Sequence, residues 1–176
     1  MLESSNVFLI GFRVKDSQRT ITAIRLCAYP PEEIDAVVNQ WASFLEVEGG
    51  KSVLLNMSPG SNLVTRKGVL MVSSEDRVDS SEVVHVEHFP LIGDALTVEN
   101  IIDGIIERKR DSYRFTGEET GCRHWQYVFL KELEQEGRLS EGSAEAGLES
   151  MEKFYGNDGK VIGHKVVEQG VFCDLE

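Results

Sequence analysis

Over its first half the chain alternates apolar and polar residues, and over its second half the apolar residues recur at helical spacing. Val7 to Val14 and Thr20 to Tyr29 are β-rich runs joined by Lys15-Asp16-Ser17-Gln18, a polar turn. Side chains on a strand alternate between faces, so Ile24, Leu26 and Ala28 share one face of the second run and Arg25 and Cys27 take the other. Pro30-Pro31 and a short acidic stretch follow. A strand from Gln40 to Val47 is then predicted to turn at Glu48-Gly49-Gly50 and return as Lys51 to Met57, a hairpin marked by its glycines. Ser58 to Arg66 reads as a polar loop, and Lys67 to Ser73 and Glu82 to Phe89 as two further strands.

The period changes at Thr97. Behind this N-cap candidate, Val98, Ile101, Ile102, Ile105 and Ile106 recur at helical spacing and make one apolar face, broad enough to cover a sheet. A second helix is predicted from Gly121 to Glu136, ending before Gly137. A third, from Ala144 to Tyr155, buries Leu148, Met151 and Phe154 or Tyr155. Gly156-Asn157-Asp158-Gly159 then turns the chain into a last extended piece, Val161 to Phe172. Strands followed by helices predict a single α+β domain over residues 1–176, an antiparallel sheet of about five or six strands packed against about three helices.

Composition narrows the partners. A chain of 176 residues with 41% apolar content holds one domain with a sizeable core. A formal charge of −12 repels phosphate, which argues against nucleic acid and anionic membranes as partners. The one basic cluster, Arg108-Lys109-Arg110 with Arg114, reads as cations complementing a helix C-terminus. Cys27, Cys122 and Cys173 form neither an even disulfide framework nor the close pairs of a zinc site, so the expected compartment is reducing and no metal or other cofactor is expected. Met1-Leu2-Glu3-Ser4-Ser5 is acidic, and Val7 to Phe12 is too short for a secretory core or a membrane span. The expectation is a cytoplasmic, soluble protein. Nothing in the sequence sets its oligomeric state.

The chemistry to examine lies in Gly121-Cys122-Arg123-His124-Trp125. At about 100° per residue, Cys122, Trp125, Gln126, Phe129 and Leu133 share one face, so the thiol stands at the first turn of the side that packs inward. Unpaired N–H groups and the dipole at a helix start favour a thiolate. Against this, free cysteine is commonly buried for packing alone, as are residues such as Trp125, Phe129 and Leu133. His124 projects about 200° around the helix from Cys122 and is badly placed to be its base. Glu118 and Glu119 lie just upstream, where their charge would oppose a thiolate if turned inward or would equally serve as partners of the helix N-terminus.

The segment Arg114-Phe115-Thr116-Gly117 through Gly121-Cys122-Arg123-His124-Trp125, behind an isoleucine-rich helix, resembles a family of small fungal proteins. The strand order and the Cys-x-His-aromatic helix start also resemble permuted relatives of the NlpC cysteine peptidases, such as the lecithin:retinol acyltransferase group, over residues 20–139. That resemblance implies a permuted papain-like architecture, in which a histidine on an early strand meets a cysteine opening a later helix, with a third polar residue on the next strand. Carried across, Cys122 takes the nucleophile's place, and Gln40, before Trp41, takes the place of the histidine. Asn56 is the candidate third residue. An amide is no proton acceptor of the kind catalysis needs. A two-residue Gly49-Gly50 loop puts Asn56 on the face of Trp41, and a three-residue loop including Glu48 puts it on the face of Gln40.

A substitute base would come from His85 or His88. Being three apart on a strand, they point to opposite faces, so one at most looks inward and they form no metal pair. His88 also reads as an ordinary half-buried histidine, and His164 carries no cue to a partner. Three readings of function follow. In the first, a cysteine-dependent hydrolase or acyltransferase uses Cys122 with His88 or His85 as improvised base. In the second, the site has lost thiol chemistry and binds an apolar small-molecule substrate. There Trp41, Tyr113, Trp125 and Gln126 hold the substrate, and Gln40 and Asn56 stabilise developing charge in a cyclisation or isomerisation. The size of the chain and the fungal resemblance tilt the expectation towards this reading, within secondary metabolism. In the third, the domain is a binding module without catalysis.

Overall fold

The computed structural model describes residues 1–31, 36–60, 66–116 and 121–173. Six strands make one sheet in the order β1-β5-β4-β3-β2-β6: β1 Val7–Leu9, β2 Ile21–Ala28, β3 Trp41–Val47, β4 Lys51–Pro59, β5 Gly68–Glu75 and β6 His85–Pro90. All neighbours are antiparallel except β1, which lies parallel to β5. Three helices follow, α1 Val98–Glu107, α2 Cys122–Gln135 and α3 Ser143–Glu152. Among the described residues two small ribbons accompany the sheet and helices. β7 Tyr113–Arg114 pairs with β10 Val171–Phe172, and β8 Lys153–Tyr155 with β9 Val161–His164. This is the α+β arrangement that the strand and helix periods predict. Among the described residues no helix is long and apolar enough to cross a membrane.

Alternation decides which face is covered. Ile24, Leu26 and Ala28 of β2, Trp41 and Leu45 of β3, Val53, Leu55 and Met57 of β4, and Leu70 and Val72 of β5 all turn towards the helices. There they meet Ile101, Ile102 and Ile105 of α1 and Trp125, Phe129 and Leu133 of α2. Burying such side chains contributes about 1.5–3 kcal/mol each before chain entropy is charged against it. Thr97 caps α1 as its sequence announces: its hydroxyl accepts from the Asn100 N–H and the Asn100 side chain accepts from the Thr97 N–H. The outer face is shielded in part by the segment after β5. Arg25 holds Asp79 at 2.7 Å, and Ser52 Oγ donates to the Arg77 carbonyl at 2.7 Å, over a buried Cys27 and Phe44.

Several expectations are revised. The third helix stops at Glu152 because Lys153–Tyr155 turns into a strand, fixed by the Tyr155 N–H donating to Asn39 Oδ1 and by pairing with β9. The extended piece from Val161 to Phe172 divides into β9 and β10, which pair with different partners. The basic cluster does more than complement a helix end. Arg108 pairs with Glu136, and Arg110 Nε lies 2.6 Å from Glu132, so the end of α1 and its following turn are tied to the end of α2.

Candidate functional site

The β3–β4 turn takes the three-residue form. Val47 pairs with Lys51, leaving Glu48, Gly49 and Gly50 in the loop, and the register runs through Ser43 and Leu55. With Leu55 and Met57 turned to the core, Asn56 faces outward, and Gln40 Nε2 donates to its Oδ1 at 3.4 Å. The bridge forms where the two strands part. Pairing between β3 and β4 ends at Ser43, yet β4 continues along β5 to Pro59, and β3 begins at Trp41 against Ala28.

The start of α2 sits on the inner side of this parting. Gly121 caps the helix, and its carbonyl accepts from the Tyr113 hydroxyl at 2.7 Å and from the Trp125 N–H at 3.3 Å. The position is tight, since a Cβ there would stand 3.0 Å from the Phe115 ring and 3.1 Å from the Tyr113 oxygen, and either ring would have to shift by a few tenths of an ångström to admit one. Cys122 is 8% exposed and belongs to the core. Burial pushes its thiol above the ordinary value. The N–H groups of Trp41, Arg123 and Cys122 itself, with the charge of Arg123, pull the other way without overcoming it. The helix start therefore supplies the expected stabilisation, and desolvation outweighs it.

No histidine among the described residues is bonded to Cys122. His124 Nδ1 lies 3.4 Å from the Tyr113 hydroxyl, and burial lowers its basicity. His85, opposite Ala28, takes the inward face. Its ring stacks on Tyr155 at 4.1 Å and meets Trp41 edge-on, while Nε2 lies 2.8 Å from Glu87. His88, opposite Arg25, points to the outer face, 3.4 Å from Glu46 and half-exposed. Cys122 and His88 thus occupy opposite faces of the sheet.

The expected substrate-binding residues separate in the same way. Trp41, Tyr113, Trp125 and Gln126 are at most 1% exposed and pack in the inner core. Trp125 Nε1 donates to the Arg110 carbonyl at 2.7 Å, and its ring stacks on Phe129. Gln126 Oε1 accepts from Ser43 Oγ at 2.6 Å. Burial of the Tyr113 phenol, reinforced by the charge that a Cys122 thiolate would bring, raises its pKa. Gln40 and Asn56 remain half-buried on the outer face. There Tyr29, Phe44, Leu54, Glu75, Arg77, Asp79, Ser80, Ser81 and Glu82 line an open cleft of about 330 Å³. Leu54 is two residues from Asn56 on the same face.

Two buried polar residues carry structural weight that the sequence reading did not assign. Ser43 occupies a position between Trp41 and Leu45 where the pattern calls for an apolar side chain, a signal that could have located a buried partner on α2. Arg123 is 1% exposed, and its guanidinium donates to the carbonyls of Met151, Lys165 and Val166, pinning the C-terminal segment to α2. Burial lowers its pKa. Among the described residues no three His, Cys, Asp or Glu side chains are grouped to hold a metal ion.

Comparison with curated proteins finds no match, and comparison with solved structures finds none. One family does match, over residues 24–173, from the fourth residue of β2 to the residue after β10. The chain belongs to the family described as Domain of unknown function (DUF7770).

Proposed function

We propose that this protein is a small-molecule enzyme that binds and orients an apolar intermediate of secondary metabolism for cyclisation or isomerisation, without covalent thiol chemistry. The observation that carries this reading is the Gln40–Asn56 amide bridge on the outer face, set apart from a Cys122 thiol that is buried and held protonated. An amide pair neither accepts nor delivers a proton readily. It can orient a carbonyl or enol and stabilise developing charge by hydrogen bonding. The cleft on the same face is lined by Tyr29, Phe44 and Leu54 together with the polar and charged side chains of residues 75–82. In such a site the rate gain comes from holding a reactive conformer. Trp41, Tyr113, Trp125 and Gln126 then support the site from the core instead of touching substrate.

The thiol reading has in its favour the N–H groups directed at the Cys122 sulfur. Burial of that sulfur and the absence of a bonded histidine weigh more. The test is incubation with a panel of linear polyenes and polyenones that cyclise slowly unaided, with product ratios read by chiral chromatography. The proposal expects acceleration that survives Cys122→Ser and is lost in Gln40→Ala and Asn56→Ala. Activity abolished by Cys122→Ser and retained in the amide variants would favour the hydrolase or acyltransferase.

A further inference from the structure

The two edges of the sheet are treated differently. At β6, Pro90 carries no N–H, Ser150 of α3 reaches over to Glu87, and Gly159 packs against the Val84 carbonyl just before the strand. At β1 no strand among the described residues pairs with the outer edge, although the Val7 N–H is held by the Ser4 carbonyl and residues 1–5 flank Val7 and Leu9. Asn6 and Ile10 bond to β5, so alternation along a parallel ladder turns the Leu9 N–H and the Val7 and Leu9 carbonyls away from the sheet. Phe8, Leu9 and Ile10 beside them are 47%, 46% and 57% exposed. No proline or charge interrupts residues 7–12.

We propose that β1 pairs with β1 of a second copy of this chain across a two-fold axis, joining two six-stranded sheets into one. The free main-chain groups set the register. Antiparallel pairing through Val7 and Leu9 puts Val7 opposite the second copy's Leu9 and Phe8 on the axis opposite its counterpart, where the two rings meet as a cross-strand aromatic pair. Self-association of a chain with charge −12 needs a surface spared from repulsion, and this one qualifies. Residues 1–20 carry Arg13, Lys15 and Arg19 against Glu3 and Asp16, three positive against two negative, a net +1. A shared strand edge makes the pairing symmetric and closed, leaving no further edge of this kind to propagate.

Sedimentation equilibrium of the full chain is expected to give a species of twice 19.7 kDa that dissociates on dilution. Phe8→Asp, which sets two carboxylates on the axis, and Leu9→Pro, which removes an outward N–H without touching a bond to β5, are each expected to weaken association by about tenfold or more. Phe8→Cys in a Cys173→Ser background is expected to cross-link to a dimer with oxidised glutathione, while Val161→Cys in the same background stays monomeric. A monomer at every attainable concentration overturns the proposal. So does a dimer that Phe8→Asp and Leu9→Pro leave intact, which would place the interface elsewhere.

Discussion

Gln40 donates its side-chain amide to Asn56 across the point where β3 and β4 separate, and it does so on the face of the sheet that Cys122 does not occupy. The two amides hold each other, and the thiol is held by backbone and burial. Removing either amide should therefore leave the fold nearly unchanged. Asn56→Ala and Gln40→Ala are expected to cost about 1 kcal/mol or less by urea titration, the range for a single half-buried hydrogen bond. Gln40→His should not raise the alkylation rate of Cys122, because the new imidazole faces away from the sulfur.

Ser43 and Gln126 are expected to behave as a buried structural pair. Ser43→Ala leaves Gln126 Oε1 without its donor and should cost about 1–3 kcal/mol. Ser43→Ala combined with Gln126→Leu should cost less than the sum of the single changes, since both polar partners are then gone. Additive losses in a denaturation cycle would show that the two side chains act separately.

Arg123→Leu should strip the carbonyls of Met151, Lys165 and Val166 of their donor and cost about 2–4 kcal/mol. Hydrogen exchange should rise in residues 165–173 before it rises in β2 or β3. Arg123→Lys should restore little, because one ammonium on an unforked stem cannot serve three carbonyls spread over two segments.

Alkali should destabilise the protein through its buried thiols. Burial, with the nearby Asp79 charge, pushes Cys27 up to about 12, and burial raises Cys122. An acid whose folded pKa is raised contributes full stability below its unfolded pKa, about 8.5 for a thiol, and loses it as pH climbs above that value because the unfolded chain ionises first. Between about pH 8.5 and the folded pKa the loss is about 1.4 kcal/mol per pH unit for each thiol. Cys27→Ala should flatten the decline in Tm over this range. An unchanged slope would mean that Cys27 ionises alike in both states.

Local chemistry made much of this fold readable. Thr97 marks the start of α1, and the Glu48-Gly49-Gly50 turn defines the hairpin once its loop length is known. The register of that hairpin decides where Asn56 points, and two loop lengths are compatible with the same residues. His85 and His88 could not be told apart because the choice depends on which of them pairs with Ala28, a contact between residues 57 apart in the chain. The parallel placement of β1 on β5, and the hold of Asn39 on Tyr155 that helps end the third helix, arise from partners equally remote or more so. Helical periodicity located Trp125 and Gln126 on the inward face. It did not distinguish a packed core from a lined pocket, because both demand the same spacing.

Intact-mass analysis after iodoacetamide treatment measures directly whether Cys122 is buried and protonated in the folded chain. Near neutral pH the half-exposed Cys173 should label first, with Cys122 and Cys27 labelling only after denaturant is added. Selective labelling of Cys122 near pH 6 would reveal an accessible, ionised thiol and return the protein to cysteine chemistry.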